Sequence, residues 1–342
     1  MNYLITGGCG FLGSNLAADC IRLGNKVTVL DNLSRLGSSL NLEWIKSTGA
    51  CTFIHGDVRN QHDVESAVIH TQPDVLFHLA GQVAMTTSLA SPMLDFQTNV
   101  AGTLHVLEAV RRHTPTCIVI YSSTNKVYGN LEQFRYNESE WRYECEEHPS
   151  GFNEDVGLDF HSPYGCSKGA ADQYVLDYHR MYGLKNVVFR HSSMYGGRQF
   201  STADQGWIGW FCQKALEQAS NVNSKAFSIS GNGKQVRDVL HVDDMVRLYH
   251  STVQSIDIAA GHAFNVGGGI GNSLSLLELF KLLNRQLGIH LNFYELDART
   301  SDQRFFVAEI AKVKNMLGWA PQISASQGVS SMLEWIRELQ ND

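Results

Sequence analysis

Thr6-Gly7-Gly8-Cys9-Gly10-Phe11-Leu12-Gly13-Ser14 decides the fold. It follows a short apolar run, Tyr3 to Thr6, and opens an amphipathic stretch from about Phe11 to Leu23. It contains both GxGxxG (Gly8, Gly10, Gly13) and GxxGxxG (Gly7, Gly10, Gly13). Glycine lets the backbone turn sharply and approach a pyrophosphate, and the helix start then offers free N–H groups and a positive dipole end. Such turns also serve plain packing; the strand–turn–helix context is what makes this one a dinucleotide loop. Asp31 ends a second apolar run, 18 residues after Gly13, where a carboxylate can take the adenosine ribose hydroxyls. A carboxylate there repels a 2′-phosphate, so NAD is favoured over NADP. Arg35 stands nearby as an opposing charge or a solvated surface charge.

The same alternation continues along the chain. Lys26–Leu30, Cys51–His55, Asp74–His78, Cys117–Tyr121 and Asn186–Arg190 are short apolar runs, and helical patterns stand between most of them, at about Gln61–Thr71, Ser91–Arg112 and Tyr164–Tyr182. Strands alternating with helices imply βαβ units and a parallel sheet, and runs apolar on successive residues suit strands covered on both faces. Further helices are expected at Trp207–Ala219, Leu274–Leu287, Ala308–Leu317 and Val329–Leu339. The expected fold is α/β: a doubly wound parallel-sheet Rossmann domain with a smaller, interleaved C-terminal α/β substrate lobe. The Rossmann domain is assigned residues 1–190 and returning segments at about 236–265; the lobe takes about 191–235 and 266–342.

Composition supports this class. The chain has 342 residues, 43% apolar and 18% charged, with 30 glycines and 6 prolines, which suits regular elements joined by tight turns and excludes a disordered chain. A net charge of −7 with no long basic run argues against a nucleic-acid or membrane-surface partner. Seven cysteines, an odd number without a CxxC pair, form no evident disulfide framework or metal site. The first residues lack the pattern of a signal peptide, and no apolar segment reaches the roughly 20 residues of a membrane span. The expectation is a reduced, cytoplasmic protein.

Other pieces carry chemistry. Asp57-Val58 follows the third run, where a carboxylate can bond an adenine amine or simply cap the next helix. His78-Leu79-Ala80-Gly81-Gln82 ends the fourth, with small residues that let a cofactor backbone pass. Tyr164 and Lys168 lie four apart on one helix face. An ammonium beside a phenol favours phenolate and lowers a Tyr pKa from about 10, so the phenolate can take a proton from an alcohol. Ser122-Ser123-Thr124 supplies hydroxyls at a strand end, to hold that alcohol or to serve as a turn.

Together these residues resemble the extended short-chain dehydrogenase/reductases that modify nucleotide sugars. The resemblance runs along almost the whole chain and includes Gly231-Asn232-Gly233-Lys234-Gln235-Val236-Arg237-Asp238 and Leu317-Gly318-Trp319-Ala320-Pro321. It implies that Thr124, Tyr164 and Lys168 are catalytic and that Arg237 contacts a nucleotide diphosphate, its structural alternative being an ion pair with Asp243 or Asp244. Arg304 is divided between ligand and surface ion pair. The cofactor path so implied comprises Gly7, Gly10, Phe11, Leu12, Gly13, Asp31, Asn32, Asp57, Val58, Leu79, Ala80, Gly81, Gln82, Asn99, Ser122, Tyr164, Lys168 and Arg190. Thr86, Thr87, Ser123, Thr124, Asn125, Arg237 and Arg304 are assigned to the substrate. Trp207, Trp210 and Phe211 read as core or as a base-stacking platform.

Departures from the family's commoner patterns narrow the reaction. Its 4,6-dehydratases carry Asp-Glu directly after the catalytic Thr; here Asn125-Lys126 stands there, so their acid and base are missing. Many 4-epimerases read Arg-x-x-Asn-x-Tyr-Gly-Pro where this chain has Arg190-His191-Ser192-Ser193-Met194-Tyr195-Gly196-Gly197. The phrases around 78–88, 122–129, 190–199 and 206–211 are similar to the branch that epimerises CDP-sugars at C2 with tightly bound NAD. Asn130–Tyr164 is long and charged, as if it held a lid or contact element. A 4-epimerase and a non-enzymatic NAD-sensing protein are the alternatives, and the resemblance implies a homo-oligomer.

Overall fold

The apolar runs become the strands of one parallel sheet: β1 (Asn2–Thr6), β2 (Lys26–Asp31), β3 (Thr52–His55), β4 (Val75–His78), β5 (Ile118–Thr124), β6 (Lys185–His191) and β7 (Ala263–Val266). This is a computed structural model describing residues 1–221, 224–297 and 302–341. The spatial order is β7-β6-β5-β4-β1-β2-β3, a doubly wound sheet that reverses its direction between β1 and β4. A ligand crevice forms at the carboxyl ends of those two strands, where the helices on either side diverge. Six of the strands match the runs read from the sequence. β7, only four residues long and set beside β6, carries no comparable punctuation.

Each strand sends successive residues to opposite faces. Ile5, Phe77, Ile120 and Phe189 enter one apolar layer, and their neighbours Leu4, Leu76, Val119 and Val188 enter the other. The first layer packs on helices Phe11–Arg22 and Val242–Gln254, the second on Gln61–Thr71, Gly102–His113 and Ser162–Tyr182. The continuous helix expected over Ser91–Arg112 is divided. Pro92–Asp95 is one turn, Phe96–Ala101 a π turn and Gly102–His113 the helix proper. Pro92 at the first position of its turn starts it afresh. The π turn swings Asn99 inward, a distortion frequent at functional sites.

The lobe is more interleaved than expected. Strand Val236–His241, placed with the Rossmann segments by sequence, instead pairs with Ser193–Tyr195, Ser273–Ser275 and Phe305–Phe306 in a small sheet of the lobe. Helix Val242–Gln254 and β7 do return to the large sheet. So does Ala311–Leu317, assigned to the lobe by sequence: Val313, Leu317 and Trp319 enter the first core layer, and Trp319 Nε1 donates to the Asp244 carbonyl (3.0 Å). The remaining lobe packs helices Trp207–Ser220, Leu276–Leu287 and Ala325–Asn341 around Phe211, Phe280 and Met332. Leu276–Leu287 starts two residues later than its apolar pattern because Ser275 caps it, in a reciprocal box with Glu278.

The charged stretch before Tyr164 contains a hairpin, Tyr136–Glu138 with Tyr143–Cys145. Its Arg142 reaches Glu278 (2.8 Å) and the Ser273 carbonyl (2.9 Å), and Lys234 Nζ donates to Glu138 (2.8 Å). It is a contact element clamped on the lobe beside the 231–235 loop.

Helix Ser162–Tyr182 is fastened to the sheet by Asp172. The carboxylate accepts two hydrogen bonds from Arg190 of β6 (2.9 Å each) and one from Ser123 of β5 (2.8 Å). The side chains of Asp172 and Arg190 are 0% and 6% exposed. Removing one partner of such a pair leaves an uncompensated buried charge. Asp172→Ala should therefore destabilise the protein by about 3–5 kcal/mol, read from denaturant unfolding; a loss below about 1 kcal/mol would show that the pair does not hold the helix.

Candidate functional site

The Gly loop forms as its sequence predicts. Gly7 has φ 68°, and a Cβ on it would stand 2.7 Å from the Ala80 backbone nitrogen. A Cβ on Gly13 would run into the Gly7 carbonyl, so the first helix can start close against the turn only with glycine there. Above this turn lies a groove of about 500 Å³. Its walls include Gly7, Gly10, Phe11, Leu12, Gly13, Asp31, Asn32, Asp57, Val58, Leu79, Ala80, Gly81, Gln82, Thr87 and Ser122. The structure thus brings most of the expected cofactor path onto one surface.

Asp31 is buried and accepts from the N–H groups of Cys9 (2.9 Å) and Leu33 (2.8 Å). Burial raises its pKa, and those two donors work in the opposite direction. Asp57 stands across from it. Burial opposes ionisation there, but Arg59 and the Asn32 amide hold the carboxyl down at about 2. Asp57 is therefore a fixed anion in the groove wall beside Asp31, and its carboxylate is already engaged by Arg59. The glycine cradle and the Asp31 carboxylate suit a dinucleotide whose ribose hydroxyls are free.

Tyr164 and Lys168 lie on the inward face of helix Ser162–Tyr182, two turns and one turn before Asp172. Tyr164 hydrogen-bonds Thr124, which ends β5. Lys168 Nζ donates to the Ser122 carbonyl and lies 4.3 Å from the Tyr121 ring centroid. A Cβ on Gly81 would come within 3.7 Å of that ammonium, so the lysine sits directly behind the groove loop.

The expected lowering of the Tyr164 pKa is not what this site produces. Burial pushes the phenol up to about 12; the Thr124 hydrogen bond works against this and the Asp95 carboxylate adds to it. Lys168 is itself driven down to about 7 by burial, against the pull of Asp172 and Asp95. An ammonium that is only fractionally charged near neutral pH, and is already bonded to a carbonyl, exerts little field on the phenol.

Several expected ligands are used internally. Arg190 spends its guanidinium on Asp172 and the Tyr128 hydroxyl (3.0 Å), so it is a sheet-to-helix tie and lies outside the groove wall. Ser123 points to the same face and donates to Asp172, because strand alternation turns it away from Ser122 and Thr124. Asn99 binds both backbone groups of Gln82 (2.9 and 3.0 Å) and Ser167 (2.9 Å), so it shapes the groove loop from behind. Asn125 donates to Gln303 (2.9 Å), and exposed Thr86 donates to Asp204 (2.9 Å).

Arg237 lies in a second cavity of about 650 Å³, bounded by Trp207, Trp210, Phe211, Phe227, Tyr294 and Asp302. It pairs with Asp302 (2.6 Å), not with Asp243 or Asp244. Of the aromatic cluster, Phe211 is core and also cavity wall, and Trp207 and Trp210 line the same wall. Arg304 is exposed outside both cavities, over the Tyr143 ring at 6.0 Å. Phe200, Tyr294 and Asp302 escaped sequence reasoning because they sit in segments without motif punctuation, and Arg198, inside the 190–199 phrase, has no role of its own in the sequence reading.

Fold and site together define a nucleotide-sugar-modifying short-chain dehydrogenase/reductase. A family model described as GDP-mannose 4,6 dehydratase matches residues 4–332, and the chain belongs to that family of extended epimerases and dehydratases. It is 59% identical over 335 residues to CDP-paratose 2-epimerase of Salmonella typhi, covering 98% of this chain and 99% of the relative. Among solved structures it resembles UDP-glucose 4-epimerase of Thermotoga maritima with UDP-glucose, at TM-score 0.84 and 29% identity over 99% and 100% of the two chains. It also resembles UDP-glucose 4-epimerase of Thermus thermophilus in complex with NAD, at TM-score 0.80 and 26% identity over 98% and 99%.

The buried lysine yields a stability test. The folded pKa of Lys168 lies near 7, below the unfolded value of about 10.4, so above pH 7 the unfolded chain holds more protons at this site. Its burial penalty is full below pH 7 and fades as pH rises toward 10. Lys168→Met should accordingly melt higher than the parent at pH 6–7, with the difference shrinking by pH 9.5. A difference that is constant with pH, or that grows, would contradict the buried charge.

Proposed function

We propose that this chain epimerises CDP-paratose to CDP-tyvelose at C2, with NAD as a retained cofactor. The end-to-end 59% identity with the Salmonella typhi epimerase carries this reading, and the convergence of Thr124, Tyr164 and Lys168 behind the groove supports it. NAD, when bound, supplies the acceptor and donor of hydride and, in its oxidised form, positive charge that the buried site lacks.

The chain's own groups do the rest. Tyr164 takes the proton of the C2 hydroxyl as C2 is oxidised, and Thr124, bonded to Tyr164, holds that hydroxyl in line. Lys168, one turn further along the same helix face, is held on the Ser122 carbonyl behind the groove loop. The 2-keto sugar turns over while its nucleotide stays anchored in the lobe cavity at Arg237. Tyr164 then returns the proton once C2 has been reduced on its other face, so oxidation and reduction cancel over the cycle.

Likeness to UDP-glucose 4-epimerases keeps a 4-epimerase as the second reading. Among the described residues no helix is long and apolar enough to cross a membrane. We assign the enzyme to the cytoplasm, making a precursor for lipopolysaccharide O-antigen. Exposed Met93, Phe96, Tyr174, Met181 and Tyr182 support self-association through the helices around 91–112 and 162–182.

Incubation with CDP-paratose should give CDP-tyvelose by proton NMR; an unchanged C2 configuration would refute the assignment. Tyr164→Phe should lower kcat by roughly 10²–10⁴-fold while leaving bound NAD intact, as read by cofactor release on denaturation. Undiminished turnover would remove Tyr164 as the base.

A further inference from the structure

Lys126 has no part in the chemistry described so far. It stands two residues after Thr124 in the tight turn Asn125–Tyr128, and its backbone N–H donates to the Thr124 hydroxyl (3.3 Å). The turn is tied to the segment after residue 301 by Gln303, which is fully buried. Gln303 Oε1 accepts from Asn125 Nδ2 (2.9 Å) and its Nε2 donates to the Gly129 carbonyl (2.6 Å). Gln303 adjoins Asp302, so this tie holds the turn bearing Lys126 against the Arg237–Asp302 pair, whose charges act on the Lys126 ammonium. Lys126 therefore connects two places: its backbone touches the Thr124 hydroxyl, and the turn that carries it is tied through Gln303 to the segment whose Asp302 edges the lobe cavity.

A nucleotide sugar with its base in that cavity and its reacting carbon at Tyr164 has its diphosphate in between. Among the described residues, Lys126 and Arg237 bring two cations to this neighbourhood and Asp302 a carboxylate, in a chain whose net charge is −7. Burial draws the Lys126 pKa down to about 8, with Arg237 pushing the same way and Asp302 opposing. A doubly negative neighbour reverses that trend, and a compact ammonium on a flexible stem suits a phosphate whose attached group has to turn.

We propose that Lys126 binds the sugar-side phosphate of the nucleotide diphosphate and so pins the glycosyl end while the sugar ring turns over. This deepens the CDP-sugar reading above and rests on it. The phosphate next to the nucleoside is left to Arg237 and the cavity.

The test compares CDP, which carries the sugar-side phosphate, with CMP, which lacks it, by titration calorimetry on the NAD-loaded protein. The parent should bind CDP at least about tenfold tighter than CMP; parity would overturn the proposal with no variant needed. Lys126→Met should weaken CDP by roughly 10- to 100-fold, the worth of one charge-assisted hydrogen bond, while CMP changes less than about threefold. Lys126→Gln replaces it if Lys126→Met fails to melt like the parent, and Lys126→Arg, which keeps the charge, should recover most CDP affinity. Equal weakening of CDP and CMP, or no weakening of CDP, would overturn the assignment. A parent that binds neither nucleotide would sink the CDP-sugar reading itself, and this proposal with it.

Discussion

The site depends on one buried ion pair. Tyr164, Lys168 and Asp172 form a single stripe on helix Ser162–Tyr182, and Asp172 is held by charge as well as hydrogen bonds, by Arg190 of β6 and Ser123 of β5. That lock sets the rotation and height of the helix over the sheet. With it fixed, Lys168 falls on the Ser122 carbonyl and Tyr164 on Thr124. The pair reaches further through Tyr128, whose hydroxyl accepts from Arg190 and donates to Asn265 of β7 (2.7 Å). Three adjacent strands and the catalytic helix are thus held by one polar network inside an apolar layer. Such a network is favourable only when every member is satisfied, which makes it specific as well as stabilising.

Electrostatics in the site follow from burial more than from charge pairing. Lys168 and Tyr164 are both displaced toward their neutral forms, by desolvation first and by neighbours second. The protein holds this phenol and amine in surroundings that resist charging them, so under the proposed mechanism the charge needed for proton transfer has to arrive with what binds. At the groove's other end the logic is reversed: Asp57 is kept firmly ionised by Arg59. The lobe cavity pairs its Arg237 with Asp302 and borders it with aromatic rings, an arrangement that can release a guanidinium to a diphosphate and offer flat faces to a base.

Much of this was legible in the sequence. The loop from Gly7 to Gly13, the acid at Asp31 and the Tyr164/Lys168 spacing rest on local geometry: a turn that tolerates no side chain, a strand end and a helix face. Local geometry survives folding nearly unchanged, so Gly7, Gly10, Gly13 and Asp31 do line one groove, whereas Asn99 lies behind it. Readings that depended on where a side chain points failed more often. Ser123 and Arg190 carry the right chemistry at strand ends, but β alternation turns them to the layer occupied by Asp172.

By itself the sequence determined the class of sheet, the glycine turn and the shared helix face of Tyr164 and Lys168, because periodicity and glycine requirements are short-range. The tertiary structure alone decided which hydroxyls face the groove, that the Tyr164 phenol is pushed up and not down, and that Arg237 meets Asp302. It also brought residues 311–319 back to the first core and set Gln303 between the catalytic turn and the lobe cavity. Those outcomes hang on desolvation and on contacts between residues 49 to 178 positions apart, which no window along the chain contains.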